Sequence, residues 1–331
     1  TGRIFIGKVL FNNNLILLKV LILSRVKKII YYLVKYFINV NMAKQFHQNS
    51  EKGCSMNSIH VLGAGTPTPT TERFGSSYVL NIDNESIMID CGPATTYKLV
   101  KAGLWPTKID YLFFTHHHFD HDVDYPCFLL CRWDQSIGKE NILKVFGPTL
   151  TEKITEGIMG ENGLFAHDWK SRINHPTGQR VHVNRGGSLP RKPPEINATD
   201  IYPHFKFQSD NWEILSDVAE HVQPWLDSLA YRINTKNGSY VFTGDTQPCQ
   251  SIVNLAKDAD IMFCMCWDDQ DVMDLTGELI GCTGTKTAAE MAQMAGVKKL
   301  VLAHVGPNLA EVHNKEKAVN LLRILKKEGI F

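Results

Sequence analysis

The chain has 331 residues, 44% hydrophobic and 21% charged, with a formal net charge of +1. That composition excludes a disordered, collagen-like or membrane-spanning chain and allows one large domain or two small ones. The charge is divided: residues 1–55 hold nine Lys/Arg against one acid, net +8, while the remainder holds 26 against 33, net −7, which does not favour a general nucleic-acid binder.

Residues 1–55 differ in character from the rest of the chain. Their apolar stretch, 15–40, is interrupted by Lys19, Arg25, Lys27, Lys28 and Lys35, so no uncharged run reaches the roughly 18–20 residues of a spanning helix. Two readings stand. One is a basic amphipathic helix that targets an organelle or lies on a membrane. The other is translated upstream sequence, given the abundance of Asn, Lys, Ile and Phe and the candidate starts Met42 and Met56. We place the boundary of the functional domain there, with residues 1–55 as an extension and 56–331 as the domain.

Residues 58–63 read as a strand entering the turn Gly63-Ala64-Gly65-Thr66-Pro67; no Gly-Lys-Ser/Thr follows, so this is not a phosphate loop. Strands at 76–82 and 85–90 flank Asp83-Asn84, a hairpin signal. A helix is expected at 94–103 and a buried strand at 109–114. Beyond these come a helix at 124–134, a strand at 143–146 and a helix from about 149. Residues 160–195 are rich in Gly, Pro and basic side chains and read as a long irregular insertion. Strands at 213–220, 228–233, 239–243, 260–265 and 299–303 then alternate with helices at 247–256, 285–295 and 309–327. Alternation of this kind implies a layered α/β sandwich with helices outside. The eight cysteines form no Cys-x-x-Cys pair and read as free thiols of a reducing, intracellular compartment, the cytoplasm unless residues 1–55 target an organelle.

The most informative stretch is Thr115-His116-His117-His118-Phe119-Asp120-His121, which follows the 109–114 strand directly. Imidazole and carboxylate suit zinc and its first-row neighbours, and so many polar groups at a strand end need a partner that compensates their desolvation. His116 and His118 are two apart and can point the same way from an extended segment, while Asp120 and His121 reach a second position. Two metals are the inference. Three further ligand-type residues stand at expected strand ends: His221 after Val218-Ala219-Glu220, Asp245 in Gly244-Asp245-Thr246, and His304 after Leu302-Ala303.

In this order, with Ile-Met-Ile-Asp-Cys-Gly at 87–92, the chain resembles the metallo-β-lactamase superfamily from about residue 57 to about 327. Leu62-Gly63-Ala64-Gly65-Thr66-Pro67 and Ser76-Ser77-Tyr78 are similar to its ribonuclease Z and arylsulfatase-like subgroup. The resemblance implies a four-layer αββα sandwich with the metals at one edge of two sheets. It implies that His116, His118 and His221 bind a first metal and that Asp120, His121 and His304 bind a second. Asp245 would bridge them, and Asp90 would orient a ligand histidine from behind. An all-histidine pattern at His118 favours two Zn2+, with Mn2+ or Fe2+ as alternatives, and hydrolysis over oxygen chemistry. Dimerisation is common in the subgroup, so a homodimer is expected.

Two metals would share a hydroxide, since a metal brings the pKa of bound water from 15.7 to about 7. That hydroxide would attack a phosphorus, sulfur or carbonyl centre. Asp120 and His304 are the candidate catalytic residues among the ligands, Asp120 to orient the nucleophile or take its proton. Asp268 is the candidate leaving-group acid, because the subgroup's acidic motif here reads Cys266-Trp267-Asp268-Asp269 and its histidine before the last helix is replaced by Cys282-Thr283-Gly284-Thr285.

For the substrate, the acid-free basic run in 160–195 points to phosphates. Arg180, Arg185, Arg191 and Lys192 are the candidate contacts, and the position matches that of an arm that grips tRNA in the subgroup. A solvated loop over the pocket is the alternative. His167, Trp169 and His175 read as core or loop packing, with a small-molecule pocket as the other reading. The expected activity is a dinuclear zinc phosphodiesterase of ribonuclease Z-like type, with tRNA 3′-end processing as its specific form. The alternatives are a small-ester hydrolase of arylsulfatase or lactonase kind and a metal-stabilised binding protein without turnover.

Overall fold

A computed structural model describes residues 57–70, 73–137 and 141–310. The readings of residues 1–55, and most of the helix expected at 309–327, lie outside the described residues. Strands β1 (Ser58–Ala64), β2 (Ser76–Ile82), β3 (Glu85–Ile89), β4 (Tyr111–Phe113), β5 (Leu143–Gly147) and β6 (Ile196–Asp200) form one sheet in that order. The second sheet runs β12 (Leu300–Ala303), β11 (Ile261–Met265), β10 (Gly238–Phe242), β9 (Leu229–Thr235), β8 (Trp212–Val218), β7 (Lys206–Gln208).

Strand β2 shows why the sheets form layers. Tyr78, Leu80 and Ile82 enter one apolar cluster, and Val79 between them enters another. Successive side chains leave a strand on opposite faces, so a strand with apolar side chains on both faces requires cover on both. Strands β3 and β4 repeat the pattern: Ile87, Ile89, Tyr111 and Phe113 face inward, Met88 and Leu112 outward. The inner cluster also takes Trp212, Ile214, Tyr231, Ile233, Phe242 and Phe263, so the two sheets pack face to face. At its heart Phe113 stacks on Phe146 with ring centres 4.9 Å apart. Away from that stack, Glu85 accepts from Tyr111 Oη at 3.0 Å and from Trp212 Nε1 at 2.9 Å, tying one sheet to the other.

Helices cover the outer faces. On the first sheet these are α1 (Thr95–Lys101), α3 (Tyr125–Gln135), α4 (Thr151–Met159) and α5 (Ala166–Asn174), through Leu99, Phe128, Leu129, Met159 and Trp169. A short helix α2 (Phe119–Asp122) precedes α3, and α6 (Pro176–Asn184) follows α5. On the second sheet α7 (Gln250–Leu255) and α9 (Thr285–Met294) contribute Ile252, Leu255, Ala288, Met291 and Ala292. Helices α8 (Gln270–Thr276) and α10 (Pro307–Ala310) belong to the same half. The result is the four-layer αββα sandwich expected from the sequence.

Strand direction positions the site. Strands β10, β11 and β12 are parallel, and β8 shares their direction because β9 is antiparallel to both β8 and β10. The end of β4 is fastened to the same edge, with Leu229 N donating to Thr115 O at 2.8 Å and Tyr231 Oη to Phe114 O at 2.6 Å. The C-terminal ends of β4, β8, β10 and β12 therefore gather at one edge, where parallel α/β sheets place their ligands.

The structure corrects one expectation. Residues 160–195 are not irregular throughout, because 166–174 and 176–184 form α5 and α6. Pro176 occupies the first turn of α6, where its fixed φ fits and its missing N–H costs nothing, and His175 Nδ1 accepts from Thr177 N at 3.2 Å. Glycine and proline there mark a helix start, not a loop. Strands β6 and β7 and helix α8 carry no clear periodic signal in the sequence and are found only in the structure.

Candidate metal centre

Beyond β4 the chain leaves the sheet with His116 fully buried. Alternation sends His116 and His118 one way and His117 the other. His116 Nε2 lies 3.0 Å from His118 Nδ1, and His118 Nδ1 lies 3.3 Å from His221 Nε2. These three nitrogens and the Asp245 carboxylate form one donor set. Helix α2 then turns Asp120 and His121 back into the edge, where they form a second set with His304. His304 Nε2 is 3.1 Å from Asp120 Oδ2, and His121 Nε2 is 3.5 Å from the same oxygen.

Asp245, a member of the first set, also reaches the nitrogens of the second. Its Oδ2 is 3.9 Å from His116 Nε2, 3.8 Å from His221 Nε2 and 3.1 Å from His304 Nε2, and its Oδ1 is 3.4 Å from His121 Nε2. The preceding Gly244 makes this position reachable. Its φ is +59°, and a Cβ there would meet the Thr115 side chain at 2.8 Å. Asp90 and His304 also take positive φ, 59° and 49°, a region that ordinary residues rarely enter and that here accompanies a polar site.

Behind the donors stands an outer layer. His121 Nδ1 is 2.7 Å from Asp90 Oδ2, and Asp90 accepts from Thr115 N at 2.8 Å and from Ser76 Oγ at 3.0 Å. His116 Nδ1 lies 3.1 Å from Thr115 Oγ1, and His221 Nδ1 lies 2.7 Å from the Gly281 carbonyl. Each of these contacts fixes a ring so that the opposite nitrogen faces the centre. His117 has a separate task, with Nε2 at 2.8 Å from Thr151 Oγ1 at the start of α4.

Electrostatics follow. Burial, reinforced by the neighbouring His121, holds His116 well below the ordinary histidine value, and burial with His221 lowers His118. Their lone pairs are therefore available. Burial opposes charge on His121, yet Asp90 and Asp245 override it and raise that imidazole. Burial also opposes charge on Asp245, but His304 and His121 hold its carboxyl well below the usual range. Asp120 Oδ1, Asp245 Oδ1, His121 Nε2 and His304 Nδ1 are buried without a hydrogen bond. Orphaned carboxylate oxygens beside imidazole nitrogens are costly on their own and suit divalent cations, so the residues present fit two such ions.

The other expected site residues lie apart from the donor sets. Asp268 is buried, with Oδ1 accepting from Asp269 N and Oδ2 from Asn308 Nδ2, each at 2.7 Å. Arg180 is exposed on α6. Arg185 Nη1 reaches Asp134 Oδ2 at 2.9 Å, and Arg191 Nη2 reaches Asp134 Oδ1 at 3.1 Å. Arg191 also lies 3.8 Å over the Trp133 ring, and the Lys192 carbonyl accepts from Trp133 Nε1 at 3.1 Å. The basic strap is thus tied to α3. Trp169 packs in the outer core, the role expected of it, while His175 is exposed and caps α6. Sequence reasoning missed Thr115, His117, Asn308 and the Gly281 carbonyl. His117 was detectable from alternation, but a backbone carbonyl leaves no residue-type signal.

Comparison with known proteins agrees with this fold. Residues 70–123, which span Asp90 and the histidine motif, match the metallo-beta-lactamase superfamily model. A ribonuclease Z of Mycobacterium sp. (strain KMS) is 25% identical over 261 residues, 77% of this chain and 86% of that protein. The metallo-beta-lactamase fold protein YhfI from Bacillus subtilis superposes with a TM-score of 0.58 at 19% identity, covering 80% of this chain and 92% of the other. Human tRNase Z, short form, gives 0.55 at 20% identity, covering 76% and 94%.

Proposed function

We propose that this metal-dependent hydrolase of the metallo-β-lactamase fold is a dinuclear zinc phosphodiesterase of ribonuclease Z-like type, with the 3′ end of a precursor tRNA as its substrate. The observation that supports it best is the sorting of seven ligand-type residues into two donor sets joined by Asp245. His116, His118 and His221 would hold one ion, Asp120, His121 and His304 the other. Bound there, two ions supply an acidified water as nucleophile and Lewis-acid stabilisation of the charge that develops on the attacked group.

The chain's own residues do the rest. Asp120 keeps a buried oxygen without a hydrogen bond, placed to accept the proton of an attacking water. His304 Nε2, 3.1 Å from both Asp120 and Asp245, orients the two carboxylates toward each other. Asp90 holds His121, and Thr115 links Asp90 to His116, so the donors are fixed before substrate arrives. Residues 56–331 would carry all of this chemistry, with residues 1–55 as an extension and a second copy of the chain as partner.

A second reading, a small-ester hydrolase, is favoured by the tie between Asp134 and the basic strap, which already pairs the guanidinium groups of Arg185 and Arg191 with a carboxylate of the protein. Two assays separate the readings. Hydrolysis of bis(p-nitrophenyl) phosphate that is abolished by chelator and restored by zinc is expected of the phosphodiesterase. Its absence, with no other ester cleaved, would leave a metal-stabilised binding protein. Endonucleolytic cleavage of a precursor tRNA at its 3′ end is expected of the ribonuclease Z-like form. Diester hydrolysis without tRNA cleavage would leave the small-ester reading.

A further inference from the structure

Trp225, Leu275 and Ile280 are the large apolar side chains most open to solvent among the described residues, at 89%, 88% and 87% exposure. Exposed apolar residues are ordinary when scattered on loose surface. Trp225 and Ile280 are instead carried on two loops fastened to the metal centre. The first loop starts at His221, whose N–H donates to Gln223 Oε1 at 2.8 Å, while Gln223 Nε2 donates to Ala219 O at 2.7 Å. Trp225 N closes the turn on Val222 O at 3.1 Å.

The second loop meets the first at the donor itself. Gly281 O is 2.7 Å from His221 Nδ1, and Gly281 N donates to Gln247 Oε1 at 3.0 Å, two residues from Asp245. Contact is so close that a Cβ on Gly281, whose φ is +79°, would sit 2.4 Å from His221 O. Glu278 in the same loop accepts from Trp267 Nε1 at 3.0 Å. Both loops are therefore held before any ligand binds, and each carries an exposed apolar side chain: Ile280 next to the residue whose carbonyl holds His221, and Trp225 in the turn that follows His221. Preorganised apolar surface of this kind is characteristic of a binding subsite.

We infer that Trp225 and Ile280 form a subsite, on the His221 side of the centre, for the unpaired nucleobase that flanks the scissile phosphate. The inference rests on the phosphodiesterase reading and names the part of the substrate that determines specificity. An indole on a fixed loop stacks on a base whatever its identity, because every base has a π-face. Ile280 supplies a second apolar contact, and the phosphate attached to that base is thereby brought to the donors.

The test compares uridine 5′-(p-nitrophenyl phosphate) with its counterpart lacking the base, on the full zinc-loaded chain. Leaving group and phosphodiester are the same, so only the base differs. The unmodified protein should prefer the base-bearing ester about tenfold through KM, within the range of stacking on an aromatic side chain. Trp225→Ala should abolish that preference, Trp225→Tyr should restore it, and Ile280→Ser should reduce it. Equal use of both esters by the unmodified protein, or a preference that survives Trp225→Ala, overturns the inference and leaves the phosphodiesterase reading intact. No hydrolysis of either ester overturns both. Conversion of a dimer to a monomer by Trp225→Ala, read by sedimentation, also overturns it, because the patch would then be covered by a second copy.

Discussion

Asp245 and Asp134 are both carboxylates with several nitrogen partners, and each is held ionised against its burial. Asp245 lies within 3.1–3.9 Å of four imidazoles, and burial keeps His116 among them below its ordinary value. Asp134 meets the guanidinium groups of Arg172, Arg185 and Arg191 at 3.6, 2.9 and 3.1 Å. Guanidinium is a permanent cation with no lone pair to offer, so the Asp134 carboxylate is already neutralised and the cluster holds structure. Imidazole can be neutral with its lone pair free, so the Asp245 cluster has donors to spare and suits divalent ions. Density of charged groups does not separate a metal centre from a clasp; the type of nitrogen does.

Asp245→Ala should have the largest effect, because it removes a donor of the first set whose carboxylate also lies against His121 and His304 of the second. Zinc content measured on the purified protein should fall below two ions per chain. Turnover of bis(p-nitrophenyl) phosphate should fall by more than about 100-fold, the upper end for loss of an outer partner alone. Retention of two zinc ions with unchanged turnover would break the comparison, since Asp245 would then be no more a bridge than Asp134. Asp90→Asn is the next step down. It weakens the hold on His121 without removing a donor, so zinc affinity or turnover should drop about 10- to 100-fold. A change smaller than that, in a variant with unaltered thermal midpoint, would mean that Thr115 Oγ1, 3.3 Å from His121 Nδ1, suffices to hold the ring.

The difference between the clusters also explains what could be read from the sequence. His116, His118, Asp120 and His121 are legible because four ligand-type residues at a strand end have few structural uses. His221, Asp245 and His304 become legible because each follows an apolar strand, and strand ends converge whatever loops lie between them. The layers follow from β2, β3 and β4, which carry apolar side chains on both faces. Asp134 is invisible in the sequence because a single acid in an amphipathic helix looks like any solvated residue, and its partners lie about 40 to 60 residues further on. Helix α6 is hidden because Pro176 and Gly178 count as breakers until the cap at His175 is seen.

Asp134→Asn should affect stability and not chemistry. Hydrogen bonds to charged groups contribute about 1.5–3 kcal/mol when sheltered, but Arg185 is half exposed and solvent screening reduces its share. A loss of about 1–2 kcal/mol in urea unfolding is expected, with diester turnover unchanged. Reduced cleavage of a precursor tRNA by this variant alone would show that the docked strap contributes to substrate binding.

The smallest effect is the most discriminating. Burial would raise Asp134, but the hydrogen bonds from Arg191 and Arg185 prevail and hold its carboxyl below the usual carboxylate range. A depressed folded pKa contributes stability that is present above the unfolded value and is lost as pH falls through the folded one. The gap in unfolding midpoint between the unmodified chain and Asp134→Asn should therefore be constant from about pH 7 to about pH 5, narrow below about pH 4, and close once the carboxyl is protonated. Acid also protonates the donor histidines and carboxylates, which is why the gap and not either midpoint is the quantity to follow. A gap that persists at low pH would assign the clasp to packing of Arg191 on Trp133, and the contrast between the two carboxylates would then be one of geometry and not of charge.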